Sequence, residues 1–263
     1  MTRGYGCAEA VADSARYLAV VPAYNEAATV ASVVEAIARE APQFDVLVVD
    51  DGSTDDTAAR ALATGARVVR APFNLGIGGT VQTGFVYASE NGYDFLAQVD
   101  GDGQHDPSQL HHLIATMGED PPVDMVCGSR FLTKDSDYLA PISRRTGIHI
   151  FAFILSRFVG QQVTDPTSGF RLYNRRAIEL FARDYPHDYP EVEAVLMLHH
   201  HELRMREVPV RMFTRGGGVS SITSGKSAYY MIKVLLALFV GMFRRRPVIA
   251  QGDGAPVTSE RGI

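Results

Sequence analysis

Short apolar runs alternate with stretches whose apolar residues recur every three to four positions. Residues 17–21, 46–49, 66–70, 95–99 and 123–127 read as strands; 17–21 is Tyr-Leu-Ala-Val-Val, a continuous run with no polar face. Between them, 28–40 carries Val30, Val33, Val34 and Ile37 at helical spacing, and 55–63, 78–91 and 107–117 read as further helices. Ser53 and Thr54 offer caps for the second of these. Strand–helix alternation at this spacing predicts a mostly parallel sheet covered on both faces, the Rossmann-like arrangement. In such sheets functional residues gather beyond the carboxyl ends of the strands. The polar clusters Asn25-Glu26, Asp50-Asp51 and Asp100-Gly-Asp102 all fall at predicted strand ends.

After Arg130 the rhythm changes. Residues 148–159 are apolar almost all round, 165–173 form a loop entering a short strand, 191–203 read as a helix and 207–212 as a strand. The longest apolar run, 229–243, is 15 residues with Lys233 inside it, and Arg244-Arg-Arg246 follows. That is short of the roughly 18–20 apolar residues of a spanning helix. A core element, a bilayer-interface helix and a homodimer seam all suit these two apolar stretches.

The chain has 263 residues, 46% hydrophobic and 21% charged, which excludes disorder, collagen and coiled coil. Two cysteines, Cys7 and Cys127, make no disulfide framework, so a reducing compartment is expected. Residues 1–9 lack an apolar signal core, so export is not expected. The net charge of −5 divides unevenly. Residues 1–129 hold 6 Lys and Arg against 18 Asp and Glu, a net of −12, and residues 130–263 hold 19 against 12, a net of +7. An acidic half suits a divalent cation, and a basic half suits phosphate or an anionic membrane. Nucleic acid is excluded as a partner: the pI is about 5.9 and no nucleic-acid motif is present.

Asp100-Gly-Asp102-Gly-Gln104-His105 places two carboxylates one residue apart in a glycine-rich turn after a buried strand. They can converge on one cation, with Gln104 adding a neutral oxygen; hard oxygen ligands suit Mg²⁺ or Mn²⁺. Such an ion would neutralise a diphosphate leaving group. In Val21-Pro22-Ala-Tyr24-Asn25-Glu26, Pro22 ends the strand, Tyr24 offers a stacking face for a base, and Glu26 offers acceptors for base or ribose. Asp51 can accept likewise. Asn74-Leu-Gly76-Ile-Gly78-Gly79 precedes a helix, where glycines allow a ligand close to backbone N–H groups. His199-His-His201 is no metal site, because consecutive helical residues point in different directions.

Taken together, Val21-Pro-Ala-Tyr-Asn-Glu26, Val49-Asp-Asp-Gly-Ser-Thr-Asp-Asp56, Asn74-x-Gly76 and Gln98-Val-Asp-Gly-Asp-Gly-Gln-His105 resemble family 2 glycosyltransferases of the A-type fold. Cys127-Gly-Ser-Arg-Phe131 and Thr164-Asp-Pro-Thr-Ser-Gly-Phe-Arg171 resemble the dolichol-phosphate mannosyltransferase branch and its bacterial polyprenyl-phosphate relatives. The resemblance covers about residues 17–226 and implies a catalytic domain there, with 1–16 expected as a flexible N-terminus. Within that domain 17–129 is the nucleotide and metal half and 130–226 the acceptor half. The chain departs from the family at its carboxyl end, where many relatives carry spanning helices: here one apolar, amphipathic interface helix is expected over 227–246, and the small, polar residues of 247–263 read as a disordered tail. The resemblance implies metal ligation by Asp100, Asp102 and Gln104, and nucleotide contacts from Pro22, Tyr24, Glu26, Val49, Asp51, Asn74, Gly76, Asp100 and Gly101. It also implies phosphate contacts at the reacting end from Arg130 and Arg215. The expected location is cytoplasmic, peripheral on the cytoplasmic membrane face.

Acceptor chemistry divides the possibilities further. A hydroxyl acceptor needs a base to remove its proton; a lipid phosphate is already anionic and needs cations instead. The basic half supplies Arg130, Arg144, Arg145, Arg171 and Arg215, and guanidinium groups suit bidentate phosphate contact. Glu191 stands where hydroxyl-using family members carry a base at a helix start. The expected catalytic set is therefore Asp102, Arg130 and Glu191. The leading reading is metal-dependent, inverting transfer of a hexose of mannose or glucose type from a GDP- or UDP-sugar to polyprenyl phosphate. The alternatives are the same chemistry with a saccharide hydroxyl acceptor, and a nucleotide-binding module without turnover.

Overall fold

The computed structural model describes residues 15–132 and 142–213. The expected interface helix and tail, and the N-terminus up to residue 14, lie outside them. The described strands form one seven-stranded sheet in the order β3-β2-β1-β4-β6-β5-β7. These are β1 (Tyr17–Ala23), β2 (Phe44–Asp50), β3 (Arg67–Arg70), β4 (Phe95–Gln98), β5 (Met125–Ser129), β6 (Arg171–Asn174) and β7 (Met205–Pro209). Strands β3, β2, β1 and β4 are mutually parallel, β6 runs antiparallel to both β4 and β5, and β7 is parallel to β5. The helices are α1 (Val30–Glu40), α2 (Thr57–Ala63), α3 (Gly76–Glu90), α4 (Leu110–Met117), α5 (Ile142–Val159), α6 (Arg175–Arg183) and α7 (Pro190–His200).

The continuous apolar runs follow from burial on both faces. Along β1, Leu18 and Val20 join the core that holds Phe85, Tyr173, Phe181 and Leu198, while Ala19, Val21 and Ala23 join the core that holds Ile37, Leu110 and Leu113. Edge strand β3 is different: Arg67 and Arg70 are exposed, and such charges discourage pairing with another chain. Helix α6 has no counterpart in the pattern read above. Its signals are present, because Asn174 caps it by accepting from the Ala177 amide at 3.1 Å, and Ala177, Ile178, Leu180 and Phe181 are buried.

The sheet positions the polar clusters. Parallel register sets Pro22 beside Val49 and Ala23 beside Asp50, so β1 and β2 end together. The hydrogen-bond ladder continues past the strand ends: Asp51 N donates to Ala23 O at 2.9 Å, Val99 N to Val20 O at 3.0 Å and Gly101 N to Pro22 O at 3.2 Å. All three clusters therefore lie together at the carboxyl ends of β1, β2 and β4.

Candidate active site

The turn after β4 is held from several sides. Gly101 packs against the end of β1 so closely that a Cβ there would stand 3.1 Å from Pro22 O, which explains the glycine between the two aspartates. Thr29 Oγ1, ahead of α1, donates to Gly101 O at 2.7 Å. Asp102 Oδ1 accepts from the Gln104 amide at 3.0 Å, an Asx turn, and Gly103 has a φ of +77°. Asp100 Oδ1 accepts from Gln98 Nε2 at 3.1 Å, and the Asp100 amide donates to His105 Nδ1 at 3.0 Å. Asp100, Asp102 and Gln104 are each half-buried, so their side chains reach solvent from an ordered turn. Among the described residues no group of three or more His, Cys, Asp or Glu side chains is disposed to hold a metal. The protein's donor set here is two carboxylates and an amide. That set fits a hard divalent cation that also takes phosphate and water oxygens.

The first two loops are stitched into one surface. Asn25, at a φ of +55°, accepts on Oδ1 from the Thr54 amide at 2.9 Å, and its own amide donates to Ser53 Oγ at 2.9 Å. The Glu26 amide donates to Thr57 Oγ1 at 2.9 Å. Tyr24, just ahead of these bonds in the chain, is 46% exposed. Two expected nucleotide contacts change character. Val49 is fully buried among core residues, which leaves only its backbone for a ligand contact. Asp51 is 3% exposed and binds the loop ahead of α3, accepting from the Leu75 amide at 2.6 Å and the Gly76 amide at 3.0 Å. It orients the Asn74–Gly76 backbone, and Gly76 meets that geometry with a φ of +80°. Gly78 also serves packing rather than ligand approach: a Cβ there would be 2.6 Å from His187 Cα and Pro186 O.

A second polar cluster centres on the loop from Thr164 to Phe170. Asp165 is fully buried and takes Arg130 in a fork, Nε to Oδ2 at 2.6 Å and Nη2 to Oδ1 at 2.7 Å, while Thr167 Oγ1 accepts from Nη2 at 2.8 Å. Glu207 on β7 supports this loop by accepting from the Thr164 amide, Thr164 Oγ1 and the Asp165 amide at 2.8, 2.7 and 3.0 Å. Burial raises the Glu207 carboxyl above the usual range against these bonds. Asp165 and Glu207 are absent from the expected site. The signal for Asp165 was its place in Thr164-Asp-Pro-Thr-Ser-Gly; Glu207 had none beyond a charge in a predicted strand.

Arg171 is corrected. It is fully buried and spends Nε on Ser168 O at 2.7 Å and Nη2 on Pro166 O and Glu191 O at 3.1 and 2.7 Å. It ties the loop to the start of α7 and does not reach a phosphate. Glu191, half-buried in the first turn of α7, has its carboxyl raised above the ordinary value. Burial is the largest cause and Asp100 adds to it, while Arg171, its own amide and Arg130 pull the other way. Those neighbours bring Glu191 electrostatically into the same site as Asp100 and Arg130. Arg144 and Arg145 fall in the first turn of α5, with side chains outside the described residues, as is the whole of Arg215. No helix among the described residues is long and apolar enough to cross a membrane.

A family model, Glycosyl transferase family 2, matches residues 18–181, more than half of the chain. The chain belongs to glycosyltransferase family 2. This glycosyltransferase is 31% identical over 229 residues to the polyprenol monophosphomannose synthase of Mycolicibacterium smegmatis, covering 83% of this chain and 85% of that one. It is 31% identical over 218 residues to the undecaprenyl-phosphate mannosyltransferase of Micrococcus luteus, covering 80% and 88%. Among solved structures, glucosyl-3-phosphoglycerate synthase from Mycobacterium tuberculosis, in complex with Mn²⁺, UDP and phosphoglyceric acid, superposes with a TM-score of 0.69. That match has 19% identity and covers 94% of this glycosyltransferase and 86% of the solved chain. The likeness establishes the A-type fold.

Proposed function

We propose that this glycosyltransferase transfers a hexose, of mannose or glucose type, from a GDP- or UDP-sugar to a polyprenyl phosphate at the cytoplasmic face of a membrane. The observation that carries the donor side is the Asp100–Asp102–Gln104 turn, hydrogen-bonded onto Pro22 of β1 and Thr29 of the first loop at the carboxyl end of β1. The two mannosyl-transferring relatives, named for lipid-phosphate acceptors, support the acceptor side. In this reading Tyr24 stacks on the base, Glu26 accepts from ribose or base, and Asp51 sets the Asn74–Gly76 backbone. Asp100, Asp102 and Gln104 hold Mg²⁺ or Mn²⁺, which when bound supplies positive charge for the departing diphosphate. The positive charge for the acceptor phosphate comes in this reading from Arg144, Arg145 and Arg215 together with Arg130, which is 6% exposed and commits Nε and Nη2 to Asp165 and Thr167. A single displacement from the opposite face of the sugar inverts the anomeric centre.

A thermal-shift panel of nucleoside diphosphates with and without Mn²⁺ tests the donor half. A Mn²⁺-dependent rise with one base is expected; no rise with any base overturns it. The raised Glu191 carboxyl beside Asp100 favours one second reading, a hydroxyl acceptor with Glu191 as base. Glu191→Gln separates the two. An anionic phosphate has no proton to lose, so the expected loss is within a few-fold. A hydroxyl acceptor would cost about 10²–10⁴-fold in rate.

A further inference from the structure

His105 is held at several points beside the turn. Its ring is buried, with 4% of the side chain exposed, and lies 5.0 Å from the Phe170 ring, centroid to centroid. Its backbone pairs across a bridge with Met212. Nδ1 accepts the Asp100 amide at 3.0 Å, so that nitrogen is bare and the ring proton is on Nε2. Nε2 stands 3.6 Å from Asp100 Oδ2, a polar contact longer than a hydrogen bond. One ring thus grips the backbone and faces the carboxylate of the same residue. On the other oxygen Gln98 Nε2 donates to Oδ1 at 3.1 Å. Behind both, Gly169 forms a wall with no room for a side chain: a Cβ there would lie 2.9 Å from Gln98 Nε2 and 3.1 Å from Asp100 Oδ2.

We propose that His105 is a positioning residue: with Gln98 and the Gly169 wall, it holds the Asp100 carboxylate in the orientation that binds the divalent cation. The inference rests on the metal reading of the Asp100–Asp102–Gln104 turn. A carboxylate ligand left to rotate loses affinity, because ordering it must then be done at the moment of binding; groups that orient ligands are worth about 10–100-fold in metal affinity.

The test is Mn²⁺ titration of the full chain by electron paramagnetic resonance, paired with thermal unfolding of each protein without metal. Asp102→Asn should lose binding. His105→Phe, which removes both contacts, should weaken Mn²⁺ by about 10–100-fold. His105→Asn keeps an acceptor within reach of the Asp100 amide and should fall between Phe and wild type. In turnover, the Mn²⁺ concentration for half-maximal rate should rise by the same factor while the rate at saturating Mn²⁺ stays within a few-fold. Wild-type Mn²⁺ affinity in His105→Phe, alongside loss in Asp102→Asn, overturns this proposal alone. If His105→Phe does not fold, wild-type affinity in His105→Asn overturns it. Binding undiminished in Asp102→Asn, or absent from the wild type, overturns the metal reading and this proposal with it.

Discussion

Cys127 is buried on β5, and burial pushes its thiol up to about 12. At neutral pH it stays protonated and unreactive. Peptide mapping after iodoacetamide should find Cys127 unmodified in the native protein and modified in denaturant; labelling without denaturant would contradict the burial. Glu191 has the opposite kind of consequence. Its carboxyl is raised in the fold, so the folded state binds the proton more tightly than the unfolded chain does. Stability from this group is present at acid pH and is lost as pH rises through the raised value. Glu191→Gln should therefore gain unfolding temperature relative to wild type on going from about pH 4.5 to pH 7.5, and a flat difference would contradict the assignment. Some single residues could not be read correctly from sequence. Arg171 and Asp51 both sit in recognisable motifs, yet their charges are spent on backbone groups, because loop carbonyls and helix-start amides need partners once buried. Sequence names the residue type at a site but not the neighbour that consumes it.

Between elements, the close approach of α3 to the backbone at Pro186 and His187 is a contact that a substitution can probe. Gly78→Ala would bring a Cβ within 2.6 Å of backbone on both residues, which cannot move aside as a flexible side chain would. The expected cost is about 1–3 kcal/mol of stability, read from denaturant unfolding; an unchanged midpoint would contradict the packing. The strands β1, β2, β4 and β5 and helices α1 to α4 were readable because buried strands leave continuous apolar runs and one-sided helices a clear period, and β3 was readable from the apolar pair Val68-Val69 between turn residues. Helix α6 escaped because it follows β6 directly, with Asn174 ending the strand and capping the helix at once. The stitching of the loops, such as Thr29 onto Gly101, depends on register and had no local signal.

Across the whole molecule, the acidic half carries the candidate metal turn, and the basic half carries the arginines and an outward apolar strip. On α5, Ile148, Phe151, Ala152 and Leu155 face the core, while Ile150, Phe153 and Phe158 are exposed, Phe153 at 73%. The apolar all-round pattern of 148–159 thus serves the core on one side and leaves a second face outward, which suits the proposed membrane contact. Wild-type protein should co-sediment with anionic vesicles at low salt, and Phe153→Glu should reduce this at least several-fold; equal sedimentation would remove α5 from the contact.

The central claim is that hexose leaves its nucleotide for a lipid phosphate at the Asp100–Asp102 turn. Its most direct measurement is radiolabelled transfer from GDP-mannose or UDP-glucose to a short polyprenyl phosphate, read as label extracted into organic solvent. The account predicts lipid-linked label with Mn²⁺, none with chelator, and a loss of at least a hundredfold in Asp102→Asn. Lipid-linked label formed at the wild-type rate by Asp102→Asn, or none from the wild type with either donor, would contradict it.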